Sequence, residues 1–78
     1  MARLVDLRLR RLRHGISRDK MATRMNCSQS WISTLELRGY DGPAYTTWVA
    51  TYKMALDQLV AEKREAAREA RRAAATRA

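Results

Sequence analysis

Apolar positions fall at helical spacing almost from the first residue of this chain. Leu4/Leu7 and Val5/Leu9/Leu12 are three and four apart, which predicts a helix from Ala2 to about Arg13. Arg3, Arg8, Arg10 and Arg13 fill its other faces. Gly15 follows as a stop, because glycine tolerates the left-handed conformation past a helix end. Ser17 is placed to cap a second helix of two to three turns, whose apolar face is Met21, Ala22 and Met25. Asn26 suits a left-handed turn position. Ser28 can then cap a third helix from Gln29 to about Leu37, with Trp31, Ile32 and Leu35 on its apolar side. Two short helices joined by three or four residues have the helix-turn-helix outline.

The segment Arg38-Gly39-Tyr40-Asp41-Gly42-Pro43 is the only Gly/Pro cluster and reads as a loop. From Ala44 onward no helix breaker occurs. Trp48, Val49, Tyr52, Ala55, Leu56, Leu59 and Val60 keep helical spacing, and beyond Val60 every apolar position is alanine. Glu65/Arg68 and Glu69/Arg72 add weak i,i+3 support. With so little to bury, the helix is expected to persist to about residue 60 and to fray beyond. The pattern predicts an all-α fold, a compact helix-turn-helix bundle of four to five helices with a long C-terminal helix. The domain is placed at residues 1–60, and residues 61–78 form a basic Ala/Arg-rich helical tail.

Composition narrows the function classes. Seventy-eight residues make one small core, too little for a multi-domain enzyme with a deep cleft. The chain has 16 Lys and Arg against 8 acids, a formal charge of +8. Residues 1–40 hold nine basic and three acidic side chains, residues 41–60 one and two, and residues 61–78 six and three. Thirteen of the cations are arginine, whose planar fork matches phosphate oxygens. A basic first half on a near-neutral packing segment points to a polyanion partner. The single cysteine, Cys27, excludes an internal disulfide framework and fits a cytoplasmic location; its simplest role is a small buried filler. No apolar run approaches the roughly 18 residues of a membrane span, and an alanine stripe makes poor membrane contact. The N-terminus is too charged for a secretory signal. One histidine, His14, and the absence of metal-ligand spacing or a Gly-rich phosphate loop argue against an enzyme, a metal site, a cofactor or a small-molecule ligand.

Burying Met21, Ala22, Met25, Ile32 and Leu35 together requires the second helix to cross the third. Gln29, Ser30, Ser33 and Thr34 are then left on the exposed face of helix 3. These are compact donor-acceptors suited to base edges, and Gln can bind adenine through N6 and N7. Ser17, Ser28 and the helix N-terminus are candidates for phosphate contact, as are Arg38 and Tyr40 in the following loop. Lys20 and Arg24 lie further along helix 2. Trp31 either stacks along a sugar-phosphate strand or seals helix 3 against its neighbours, and the second reading is favoured.

The run from Gly15 to Glu36, with Met21-Ala22, Asn26 at the turn, and Ser28-x-Ser30-x-Ile32-Ser33-x-Leu35-Glu36, resembles the Cro/repressor (XRE) family of helix-turn-helix DNA-binding proteins. Tyr52, Ala55 and Leu56 match the apolar end of that family's fourth helix. The likeness spans roughly residues 4–59. Asn26 stands where the family usually has glycine, Leu37 replaces a glycine after Glu36, and one undivided helix replaces the family's fourth and fifth. The resemblance implies a sequence-specific regulator of transcription on double-stranded DNA, most like a phage Cro, in the cytoplasm or on the nucleoid of a bacterial host. It also implies that Arg18 contacts phosphate and that Arg11 and Glu36 form a structural ion pair. Leu56, Leu59 and Val60 are the candidates for a homodimer contact. The alternative is an antitoxin-type protein-interaction module that also binds its own operator, with residues 61–78 covering the partner.

Overall fold

The computed structural model describes residues 4–37 and 42–77, and all of the regular structure there is helix. Four helices follow one another: α1 Leu4–Arg13, α2 Arg18–Met25, α3 Gln29–Leu37 and α4 Tyr45–Arg77. Arg38 and Tyr40, proposed from the sequence as backbone contacts, lie outside the described residues.

Each helix end has a local cause. Gly15 closes α1 with φ +66°, the left-handed region that disfavours a Cβ. Ser17 is extended, and its Oγ accepts the Lys20 amide at 3.1 Å, capping α2. Asn26 ends α2 in the left-handed region at φ 56°, ψ 49°, while the Cys27 amide reaches back to the Ala22 carbonyl at 2.9 Å. Ser28 repeats the cap for α3, its Oγ accepting the Trp31 amide at 3.1 Å. Ala44, directly before α4, is also left-handed at φ 65°, an unfavourable conformation for a residue with a Cβ.

The core lies where α1, α2 and α3 meet the first half of α4. Met21, Ile32, Leu35, Tyr52 and Leu56 are fully buried, with Leu4, Leu7, Ile16, Ala22 and Val60 around them. Trp31 is half-buried and meets Trp48 edge-on, with ring centroids 5.2 Å apart, so its main role is packing.

Two sequence expectations need correcting. Val5, Leu9 and Leu12 are each more than half exposed. The inward register of α1 is Leu4, Leu7 and Arg11, so an arginine takes the place that an apolar reading would give to a leucine. Leu56 and Val60, expected to remain free for a second copy, are buried in the domain's own core, and Leu59 packs half-buried against it. α1 and α2 both lean on that face of α4 and use it up.

Helix directions place the ends of the molecule. Arg10 meets Asp57 at 2.5 Å, and Lys63 donates to the His14 carbonyl at 2.5 Å, so α1 and α4 run the same way. α2 runs against α4: Arg24 meets Gln58 and Glu62, while the turn before α2 meets Lys63. α4 is helical through Arg77, past residue 60, where loss of packing residues predicts fraying. Residues 61–76 are exposed throughout, and the molecule is 54 Å long.

Candidate nucleic-acid interface

The site begins with what holds α3. Ile32 and Leu35 point into the core, and Glu36, one position on, is almost as deep. Its carboxylate takes both arms of Arg11, Nε to Oε2 and Nη2 to Oε1, each at 2.9 Å. The third arm of Arg11 donates to the Ile16 carbonyl at 2.7 Å, and the Tyr52 hydroxyl donates to Glu36 Oε2. One arginine thereby ties α1, the α1–α2 turn, α3 and α4 together. Burial alone would lower the Arg11 pKa, but the Glu36 carboxylate outweighs it and holds the guanidinium above its ordinary value. Burial, reinforced by the same carboxylate, pushes the Tyr52 phenol well up.

With α3 fixed in this way, Gln29 and Ser30 are exposed and Ser33 and Thr34 half-exposed on its outer side. Ser30, Ser33, Thr34 and Leu37 line one open depression of about 390 Å³. Arg18, in the first turn of α2, donates to Ser33 Oγ at 2.7 Å, joining a phosphate candidate to a base-reading candidate. Thr34 Oγ1 donates to the Ser30 carbonyl at 3.0 Å, which uses its proton and leaves its oxygen able to accept. Ser17 and Ser28, both exposed, use their oxygens as caps.

Sequence reasoning missed two residues here. Asp19 accepts a hydrogen bond from Gln29 Nε2 at 3.2 Å, which orients the amide and leaves its second N–H and its oxygen free. Bidentate reading of adenine needs those two groups. An acid in the first turn of α2 facing the first residue of α3 was the available signal. Arg8 lines a second pocket of about 390 Å³ with Arg11, Ser17, Arg18 and Glu36. Its Nε is buried, makes no hydrogen bond and sits 3.7 Å from Glu36, whose oxygens already serve Arg11 and Tyr52. That pocket therefore carries three guanidinium groups against one carboxylate, a cationic surface beside the α2 N-terminus.

The remaining candidates lie elsewhere. Arg24 is committed to Glu62 at 2.6 Å on the far flank of α2. Cys27 is half-buried at the α2–α3 turn, and burial raises its thiol pKa. No group of three or more metal-ligating side chains occurs among the described residues, and no helix there is long and apolar enough to cross a membrane.

No protein-family model, curated protein or solved structure matches this chain.

Proposed function

We propose that this protein is a sequence-specific regulator of transcription of the Cro/repressor type, with α3 in the major groove of double-stranded DNA. One observation carries the reading. Gln29, Ser30, Ser33 and Thr34 gather on the outer side of α3, which is anchored through Glu36, while Arg18 reaches the same face from the start of α2. Small uncharged side chains on a rigid helix suit base edges, and the flanking arginine suits the strand beside them. A formal charge of +8 supplies the sequence-independent attraction.

Selection of bound duplexes from a random pool tests the reading. An enriched motif of several base pairs, lost when α3 carries Gln29→Ala with Thr34→Ala, is the expected result. Retention that never exceeds that of unselected duplex would overturn it. The exposed stripe of Val5, Leu9 and Leu12 favours a second reading, the antitoxin-type interaction module. A co-expressed neighbouring protein that copurifies with wild type, but not with Leu9→Glu, would establish it.

A further inference from the structure

Residues 64–76 continue α4 past its last buried residue and are exposed throughout, with Ala66 still bordering the domain where it lines a pocket with α2. At 1.5 Å per residue this is an arm of about 20 Å. A helix without tertiary contacts is marginal by itself, so what its faces carry is informative.

The faces are sorted. Arg64, Arg68 and Arg71 follow Asp57 by seven, eleven and fourteen positions, and therefore continue the side of α4 that faces Arg10 and α1. Glu62, Glu65 and Glu69 continue the side of Gln58, which faces Arg24 on the flank of α2. Among the described residues Arg64, Arg71 and Arg72 have no ion pair, and Arg68 has only an exposed one with Glu65 at 3.4 Å.

The direction of the arm follows from the pairings between helices. α1 runs with α4 and stops at Arg13; the turn that follows, at His14 and Gly15, lies against Lys63, and α2 starts three residues on at Arg18 and runs against α4. The arm therefore leaves the domain at the end where the α2 N-terminus, Ser17 and Arg18 lie. Its arginine side borders the space ahead of the α1 C-terminus, on the Arg10 flank of α1, while Ser17 and Arg18 meet the Arg8 and Leu12 flank. A strand whose phosphates sit at the start of α2, and which crosses the end of α1, would meet these arginines.

We infer that Arg64, Arg68 and Arg71 form a second phosphate-contacting surface, an arm that lies along the backbone of the same duplex that α3 reads. The inference rests on the duplex-binding reading above. Because the arm carries no core residue, it adds affinity for any sequence and leaves base preference to α3.

The test is the salt dependence of binding to the selected duplex and to an unrelated duplex, for the full chain and for Arg64→Gln/Arg68→Gln/Arg71→Gln. Each neutralised phosphate adds about 0.9 to the slope of log K against log salt, so removing all three arginines lowers it by about 2.7. The expected result is a fall of about two to three units on both duplexes, with the ratio of their affinities and the melting temperature unchanged. A fall of less than one unit overturns the inference and leaves the α3 reading standing. A change in the affinity ratio also overturns it, because the arm would then be reading bases. Wild-type chain that fails to bind either duplex at low salt overturns both.

Discussion

Replacing Arg11 with alanine is the most demanding perturbation of this fold. Arg11 is 5% exposed and makes two bonds to Glu36, one to the Ile16 carbonyl and one to the Tyr52 hydroxyl at 3.2 Å. Its loss leaves the Glu36 carboxylate, itself 8% exposed, with the Tyr52 hydroxyl and with Arg8 at 3.7 Å. Stranding one member of a buried pair costs about 3–5 kcal/mol. A single small domain has about 5–15 kcal/mol in total, so most of the margin is lost. At roughly 4–8 °C per kcal/mol for a domain of this size, the melting temperature should fall by well over 10 °C. Arg8 can swing toward Glu36 and recover part of the loss, so Arg8→Ala combined with Arg11→Ala should be worse than the two separate effects added. Arg11→Met with Glu36→Leu removes both charges and should regain much of the stability. Thermal and urea unfolding followed by circular dichroism measure all four variants. An Arg11→Ala chain that melts normally yet no longer binds duplex would refute the structural role, because Arg11 would then be a phosphate contact.

Arg18→Ala should weaken binding to every duplex alike and lower the salt slope by about one unit; a loss confined to one base position would make Arg18 a base reader. Gln29→Ala and Thr34→Ala should each weaken the selected site by about 1–3 kcal/mol and relax it at one or two base pairs, as read by competition with single-base variants. Tyr52 has its phenol raised above the ordinary value of 10.0. The unfolded chain therefore releases that proton first, and stability is intact below pH 10 and falls as pH rises beyond it. Tyr52→Phe should flatten that alkaline fall in urea midpoints taken from pH 8 to 11, and an unchanged slope would assign the fall to other groups. Ala44→Gly should stabilise the fold modestly, by about 0.5–1 kcal/mol, read as a higher urea midpoint, since it removes a Cβ from a left-handed position at some cost in chain entropy.

The elements themselves were readable because each boundary has a local chemical cause. Gly15, Ser17, Asn26 and Ser28 mark their turns and caps by residue type, and the structure uses all four in that way. The alternation of Met21, Ala22 and Met25 with Ile32 and Leu35 was equally local. What sequence spacing did not reveal is how two apolar stripes compete for one core. On α1 the stripe of Val5, Leu9 and Leu12 is as good by spacing as Leu4 and Leu7, yet Arg11 has to face inward to reach Glu36, and its register decides the side. The hydrogen bond between Asp19 and Gln29 depends on how α2 and α3 lie together, which no spacing along one helix encodes.

The same competition bears on copy number. If α3, a helix of nine residues, enters the major groove as proposed, it reads only a few base pairs, and specific binding then needs either a second copy or more contact with the backbone. A pair formed through Leu56 and Val60 would have to lift α1 and α2 from α4 and expose side chains that are 0% and 3% accessible. Each such leucine or valine is held by roughly 1.5–3 kcal/mol of burial, so opening that face approaches the stability of the domain. Backbone contact is the less costly route, and α4 continues beyond its last buried residue with arginines rather than with a hydrophobic seam. Sedimentation of the free chain should therefore show a monomer, and titration of the selected site should saturate at one chain per duplex. A motif with two-fold symmetry and half-sites about 10 base pairs apart would refute this and move pairing to the other exposed apolar face, Val5, Leu9 and Leu12 on α1. In that case Leu9→Glu should abolish the symmetric complex while leaving a half-site bound.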